Sequence, residues 1–86
     1  MSTSPVEVRP LARTVKVTDD ELVVGLADGR VISVPLVWFP RLLHAVPSAR
    51  SKWELLGDGE GIHWPDADED LSVAGLLAGH RARDVA

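Results

Sequence analysis

The sequence predicts a small α+β protein, with one curved antiparallel β-sheet and two short helices in the order β-β-β-α-β-β-α. Two groups of short β-rich runs, separated by turn residues, predict the strands. Between them, after Pro35, the apolar residues change from strand-like spacing to helical spacing. Strands that are joined by tight turns pair as antiparallel neighbours, and this favours the α+β class.

The chain has 86 residues, which is the length of one domain. A domain of this size buries only roughly 60% of the surface that its unfolded chain exposes. We expect a flexible leader over residues 1–11, because this stretch holds prolines and small polar residues without periodicity. The folded domain is predicted over residues 12–79, and residues 80–86 are predicted to be a flexible tail.

The first three strands are predicted at residues 14–17, 21–26 and 31–34. Asp28-Gly29 lies between the second and third runs, and this pair favours a two-residue type I′ turn. Such a turn places Leu26 opposite Val31. Both faces of this hairpin carry apolar side chains, so we expect it to be central in its sheet.

A single helix is predicted after Pro35, which ends the third strand. It should begin near Trp38 or Phe39, with Pro40 in its first turn, and end near Ala45. Pro47 disfavours helix at the preceding residue and can open a second short turn at 48–51. One apolar stripe follows the spacing i, i+3, i+4 and i+7, and it consists of Phe39, Leu42, Leu43 and Val46.

Two further strands are predicted at residues 53–56 and 62–64, joined by the glycine-rich hairpin loop Gly57–Gly61. Alternation along the second of these strands points Ile62 and Trp64 into the core and His63 outward.

The last helix is predicted at Val73–Ala78. Ser72 should be its N-cap and Gly79 its C′ residue. The preceding stretch Asp66–Asp70, called the acidic segment below, is predicted to be a connector between the last strand and this helix.

Composition excludes several classes of function. The absence of cysteine excludes thiolate zinc sites, iron–sulfur clusters, disulfides and cysteine nucleophiles. A net charge of −4 without a lysine or arginine cluster argues against direct binding of nucleic acid. No secretory signal or apolar run of membrane-spanning length is present, so we expect a cytoplasmic protein that binds no membrane. We expect no cofactor.

Several motifs in combination resemble the bacterial family called domain of unknown function 2442. They are Asp28-Gly29-Arg30, Trp38-Phe39-Pro40-Arg41-Leu42, Gly61-Ile62-His63-Trp64-Pro65, Asp68-Glu69-Asp70 and Leu76-Leu77-Ala78-Gly79. The resemblance implies a compact α+β domain with a curved sheet and implies no activity. The resemblance also implies a genetic context: family members look like one partner of a gene pair that encodes two small proteins, similar to a toxin–antitoxin pair. Some relatives carry a C-terminal helix-turn-helix; none follows Gly79 here, so we expect no DNA binding.

No motif places a nucleophile beside a base, and we therefore expect a non-catalytic protein-interaction module, such as an antitoxin-like or adaptor domain. Tryptophan and arginine are enriched in the residues that dominate protein interfaces. An acidic patch would suit a basic partner protein, which the adjacent gene could encode. The predicted partner-binding residues are Trp38, Arg41, His63, Trp64, Asp68, Glu69 and Asp70.

A metal-binding or metal-dependent domain is the alternative, with His63 and the acidic segment Asp66–Asp70 as ligands. The spacing of these acids does not match an EF-hand, and they could equally be a solvated loop near the N-terminus of the last helix. A homo-oligomer is also possible, through a sheet edge or through Leu76-Leu77. Arg41 could pair with one of the acids.

Overall fold

The computed structural model of the protein describes residues 10–82. Within this range the chain forms strands β1 (Ala12–Val17), β2 (Glu21–Leu26), β3 (Val31–Pro35), β4 (Glu54–Leu56), β5 (Gly61–Trp64) and β6 (Glu69–Ser72), and helices α1 (Pro40–Leu43), α2 (Pro47–Arg50) and α3 (Val73–Leu77). The predicted α+β class is confirmed. The strands form two three-stranded antiparallel sheets, in the orders β1-β2-β3 and β4-β5-β6, where we expected one curved sheet.

The hydrophobic core is shared by both sheets. Leu22 and Val24 enter it from β2, Ile62 and Trp64 enter it from β5, and helices α1 and α3 add further apolar side chains. The two sheets are also joined by main chain, since the Ala12 N–H in β1 donates to a carbonyl in the β4–β5 loop. We expected the β2–β3 hairpin to be central in its sheet, but only β2 is central and β3 forms an edge.

The predicted register of the β2–β3 hairpin is wrong by one residue, because Val31 lies opposite Gly25 and not opposite Leu26. The Leu26 N–H donates to the Arg30 carbonyl at 2.8 Å, which leaves a loop of three residues. In this loop only Gly29 has a positive φ, of 95°, whereas a type I′ turn needs two such residues. The Asp28 carboxylate stabilises the longer loop by accepting from the Arg30 N–H at 3.0 Å. This hydrogen bond also lowers the pKa of Asp28.

The predicted helix after Pro35 is shorter than expected, and the second turn predicted after Pro47 forms as α2. Val46 lies between the two helices and outside the core, where the predicted stripe had placed it inside. A 3₁₀ turn precedes α1, and α1 ends at Leu43. Val46 is extended, with φ −68° and ψ 155°, because Pro47 follows it, and its side chain is 62% exposed. The buried part of the predicted stripe is confirmed for Phe39 and Leu42.

The acidic segment ends in a strand that the sequence did not predict. Glu69 and Asp70 begin β6, which pairs with β5. The reversal between these strands places Asp68 at a positive φ of 50°. The N-cap prediction is confirmed, because the Ser72 hydroxyl accepts from the Gly75 N–H.

Residues 80–82 continue from α3 as a short stretch bonded to the domain. The His80 N–H donates to the Gly75 carbonyl at 2.9 Å, and the Ala82 N–H donates to the Trp38 carbonyl at 3.1 Å. The rest of the predicted tail, 83–86, and residues 1–9 of the predicted leader lie outside the described residues. The helices between residues 10 and 82 are all too short to cross a membrane.

Arg50 connects three parts of the domain. Its guanidinium donates to the carbonyls of Leu42 at 3.0 Å and Leu43 at 2.7 Å at the end of α1, and the Leu42 carbonyl also accepts from the Ala45 N–H at 3.2 Å. It also forms an ion pair with Asp19 in the β1–β2 turn, at 3.3 Å. Only 12% of the Arg50 side chain is exposed, so these carbonyls have little access to water.

We expect Arg50→Met to lower the free energy of unfolding by about 2–3 kcal/mol, because two shielded carbonyls lose a charged donor. The matched control is Lys52→Met, since Lys52 forms an ion pair with Asp66 at 3.3 Å in which both side chains are at least half exposed. Its loss should cost no more than about 1 kcal/mol. Urea denaturation of both variants measures the difference, and equal midpoints would contradict the role given to Arg50.

Candidate functional site

The carboxylates of the acidic segment Asp66–Asp70 face different cations of the same chain. Asp66 pairs with Lys52 at 3.3 Å. The Arg41 guanidinium donates to the main-chain carbonyl of Asp68 at 2.6 Å and lies 3.6 Å from its carboxylate. The predicted pairing of Arg41 with an acid is therefore confirmed. Both ion pairs are exposed, so each contributes little to the stability of the fold. Each pair still favours one orientation of its two side chains.

His63 lies on the outer face of the second sheet. Its neighbours across the strands are Glu54 on β4 and Asp70 on β6. The Nδ1 atom of His63 shares a hydrogen bond with the Asp70 carboxylate. The predicted alternation of β5 is confirmed, because Ile62 and Trp64 are fully buried whereas His63 is half-buried.

Glu69 is a buried carboxylate, with only 8% of the residue exposed. One carboxylate oxygen accepts from the Asp70 N–H at 3.0 Å. Among residues 10–82, no lysine, arginine or histidine nitrogen lies within the 4.0 Å of an ion pair with it. Burial raises the pKa of Glu69, whereas the Asp70 N–H and the charge of nearby Arg41 act in the opposite direction.

Glu69→Gln should stabilise the protein at neutral pH. Because burial in the folded state raises the pKa of Glu69 above its ordinary value of 4.5, the folded protein binds the proton more tightly than the unfolded chain. Stability is therefore lost as the pH rises from about 4.5. Thermal melts of the variant and the parent protein at pH 4 and pH 7 measure the difference in stability. For a domain of this size, a gain of about 1 kcal/mol in the free energy of unfolding would raise Tm by roughly 4–8 °C.

Glu69→Gln should stabilise the protein more at pH 7 than at pH 4. An equal effect at both pH values, or destabilisation at pH 7, would contradict the unfavourable burial of the charge. Glu54→Gln serves as the control, since Glu54 is exposed on β4.

An open groove of about 550 Å³ lies along β6. The two sides of the groove come from the start of α1 and from the stretch around α3. Its lining consists of Phe39, Pro40, Arg41, the four residues of β6, Gly75, Leu76 and residues 80–82. Apolar and charged groups therefore meet in one concave surface. We call it the β6 groove.

Trp38 lies beside the β6 groove and is half-buried. The Arg81 guanidinium stacks over the indole, 4.6 Å from the ring centroid. Arg81 lines the β6 groove and also a smaller pocket that includes Trp38. Such stacking favours one orientation of both side chains.

The structure brings most of the predicted site residues to this side of the molecule. Arg41, Glu69 and Asp70 line the β6 groove. Asp68 and His63 touch its lining residues through the bonds described above. Trp64 is different: it is 0% exposed, and its indole N–H donates to the Arg50 carbonyl at 3.1 Å. Its side chain belongs to the core, so we remove Trp64 from the proposed binding surface.

His80 and Arg81 also line the groove and were missed, because the sequence assigns them to a tail. Nothing in the local pattern signals the contact of Arg81 with Trp38, since these residues lie far apart along the chain. Only the path of residues 80–82 across the domain brings them together.

The predicted metal ligands do not converge. Between residues 10 and 82, no three histidine or carboxylate side chains form a group that could hold a metal ion. Neighbouring residues of a strand point to opposite faces, so Glu69 and Asp70 diverge. The only side-chain hydrogen bond of His63 within these residues is with Asp70, and no hydroxyl completes a catalytic arrangement.

Comparisons with known proteins identify one family and two similar solved structures. The profile described as protein of unknown function (DUF2442) matches residues 12–82. A protein of unknown function from Rhodospirillum rubrum, known from a crystal structure, is 30% identical with a TM-score of 0.74, covering 87% of this chain and 93% of that chain. An uncharacterised protein from Chromobacterium violaceum, solved by NMR, is 25% identical with a TM-score of 0.71, covering 85% of this chain and 69% of that chain. No curated protein is significantly similar. The chain therefore belongs to the DUF2442 family, as its motifs predicted.

Proposed function

We propose that this protein is a non-catalytic interaction module, antitoxin-like or adaptor-like, that binds a partner protein in the cytoplasm. The observation that carries the proposal is the grouping of Arg41 and Trp38 around the β6 groove. The Arg41 side chain is 62% exposed, and Arg81 stacked on Trp38 presents a second guanidinium. Arginine and tryptophan dominate the energetics of many interfaces.

The proposed binding surface consists of the β6 groove and its margin. Its members are Trp38, Arg41, His63, Asp68, Glu69 and Asp70, with Arg81 added by the structure. The net charge of −4 supports a basic partner, because opposite charges accelerate encounter. A toxin-like protein that itself acts on nucleic acid would have this charge.

Co-expression with the product of the adjacent gene tests the proposal. We expect that protein to copurify, and we expect any toxicity it has to be relieved. Arg41→Glu should weaken the complex at least about tenfold, since it removes an exposed guanidinium from the groove, and arginine side chains dominate the energetics of many interfaces. Lys16→Glu is the matched control, because Lys16 is exposed on β1 in the other sheet.

Two results would count against the proposal. One is failure of the neighbouring protein to copurify or to be neutralised. The other is an equal effect of both charge reversals, which would indicate a general electrostatic attraction without a defined surface.

Self-association through a free sheet edge stays a prediction. Light scattering at two concentrations measures it, and a constant monomer mass would contradict it.

A further inference from the structure

We propose that the β6 groove binds an extended segment of the partner protein and that a lysine or arginine of this segment pairs with Glu69. This inference deepens the proposed function and rests on it. It joins two features of the groove: the edge of β6, which pairs with no second strand within residues 10–82, and a buried carboxylate that has no ion pair within the same residues.

The strand edge explains why the occupant is extended. Strand β6 is at the edge of its sheet, and all four of its residues, Glu69–Ser72, line the groove. A peptide that adds to such an edge gains main-chain hydrogen bonds, and its alternate side chains enter the neighbouring pockets. Leu71 and Leu76 provide apolar contact in the same groove.

The carboxylate explains why the occupant is basic. Glu69 is more than nine-tenths buried and lines the groove, and it has no ion-pair partner within the described part of the chain. Burial of an unpaired carboxylate is unfavourable, and a cation that enters the groove would remove this penalty. The chain therefore holds a charged group whose complement must come from outside residues 10–82.

The cations at the margin do not occupy this position. Arg41 is bonded to Asp68, and Arg81 is stacked on Trp38. Asp70 also lines the groove, but its carboxylate is bonded to His63 on the outer face of the sheet. Glu69 is therefore the carboxylate of the groove that has no ion pair within residues 10–82, and one basic side chain of an extended peptide would supply that pair.

The experiment is an NMR titration of the ¹⁵N-labelled full chain with two peptides. One is acetyl-Val-Lys-Val-amide, and the other replaces lysine by norleucine, which keeps the four-carbon side chain and lacks the ammonium group. We expect the lysine peptide to bind at least about tenfold more tightly and to shift the amides of Leu71, Ser72 and Gly75. A third titration uses n-butylammonium, which carries the charge without the main chain.

Two variants test the pairing. Glu69→Gln should reduce the preference for lysine to about one. Glu54→Gln should leave the preference unchanged, because Glu54 is exposed on β4 and does not line the groove.

Equal binding of the two peptides, or an unchanged preference in Glu69→Gln, would overturn the pairing. Binding of n-butylammonium as tight as that of the lysine peptide would overturn the extended segment. If the neighbouring protein copurifies while the lysine peptide fails to bind, only this inference fails. If the neighbouring protein neither copurifies nor is neutralised, the proposed function fails, whatever the peptide does.

Discussion

Replacement of Trp64 by alanine should unfold a large fraction of the protein at room temperature. Trp64 is 0% exposed, and within the described residues it is the largest fully buried side chain of the core. Removal of a buried tryptophan typically costs about 3–5 kcal/mol. A single core in a chain of this length rarely supplies more than about 3–5 kcal/mol. The substitution therefore removes most of the stability.

The indole N–H of Trp64 contributes separately, because it donates to the Arg50 carbonyl at 3.1 Å. Trp64→Phe keeps most of the apolar volume and loses this bond, so it should cost about 1–2 kcal/mol. Trp53→Ala is the position control, since Trp53 is only partly buried. Far-UV circular dichroism in urea separates the three variants. Equal stability of Trp64→Ala and Trp53→Ala would contradict the central position of Trp64.

Gly59→Ala should destabilise the junction between the two sheets by about 3 kcal/mol or more. Gly59 has a φ of 112°, which a residue with a side chain adopts at a cost of about 1–3 kcal/mol. A Cβ atom at this position would lie 2.5 Å from the Ala12 carbonyl oxygen. The Ala12 N–H also donates to the Gly59 carbonyl at 2.7 Å, so the strain would act on the bond that joins the sheets.

Gly29→Ala separates the two contributions. Gly29 has a similar φ of 95°, and an added Cβ would meet no atom within 4 Å. Its cost should therefore be that of the backbone conformation alone. Urea denaturation gives the stabilities, and hydrogen exchange at the Ala12 amide reports on the junction. If both alanine variants lose equal stability, close approach of the two sheets is not what requires glycine at position 59.

Much of the proposed surface could be predicted as residue types, but its arrangement could not. Tryptophan, arginine and the acidic segment are visible in the sequence. The direction of each side chain depends on its strand, and β6 was not predicted because Glu69 and Asp70 have a low intrinsic preference for strands. The pairing with β5 overcomes this preference. It also places Glu69 on the buried face and Asp70 beside His63.

Local signals were sufficient wherever the chain interacts with its near neighbours. Proline at 40 and 47, the Ser72 cap and Gly79 act within one turn, and the structure confirms them. The family motifs likewise could be recognised without coordinates.

The remaining features of the fold and of the proposed surface depend on tertiary packing. It separated the strands into two sheets, shifted the β2–β3 register by one residue and brought Arg81 over Trp38. These features depend on contacts between residues distant along the chain, whose free energy exceeds the small local preferences of a short loop or strand. The sequence therefore specifies the residue types of the proposed surface, and the packing of the two sheets determines which of them lie together.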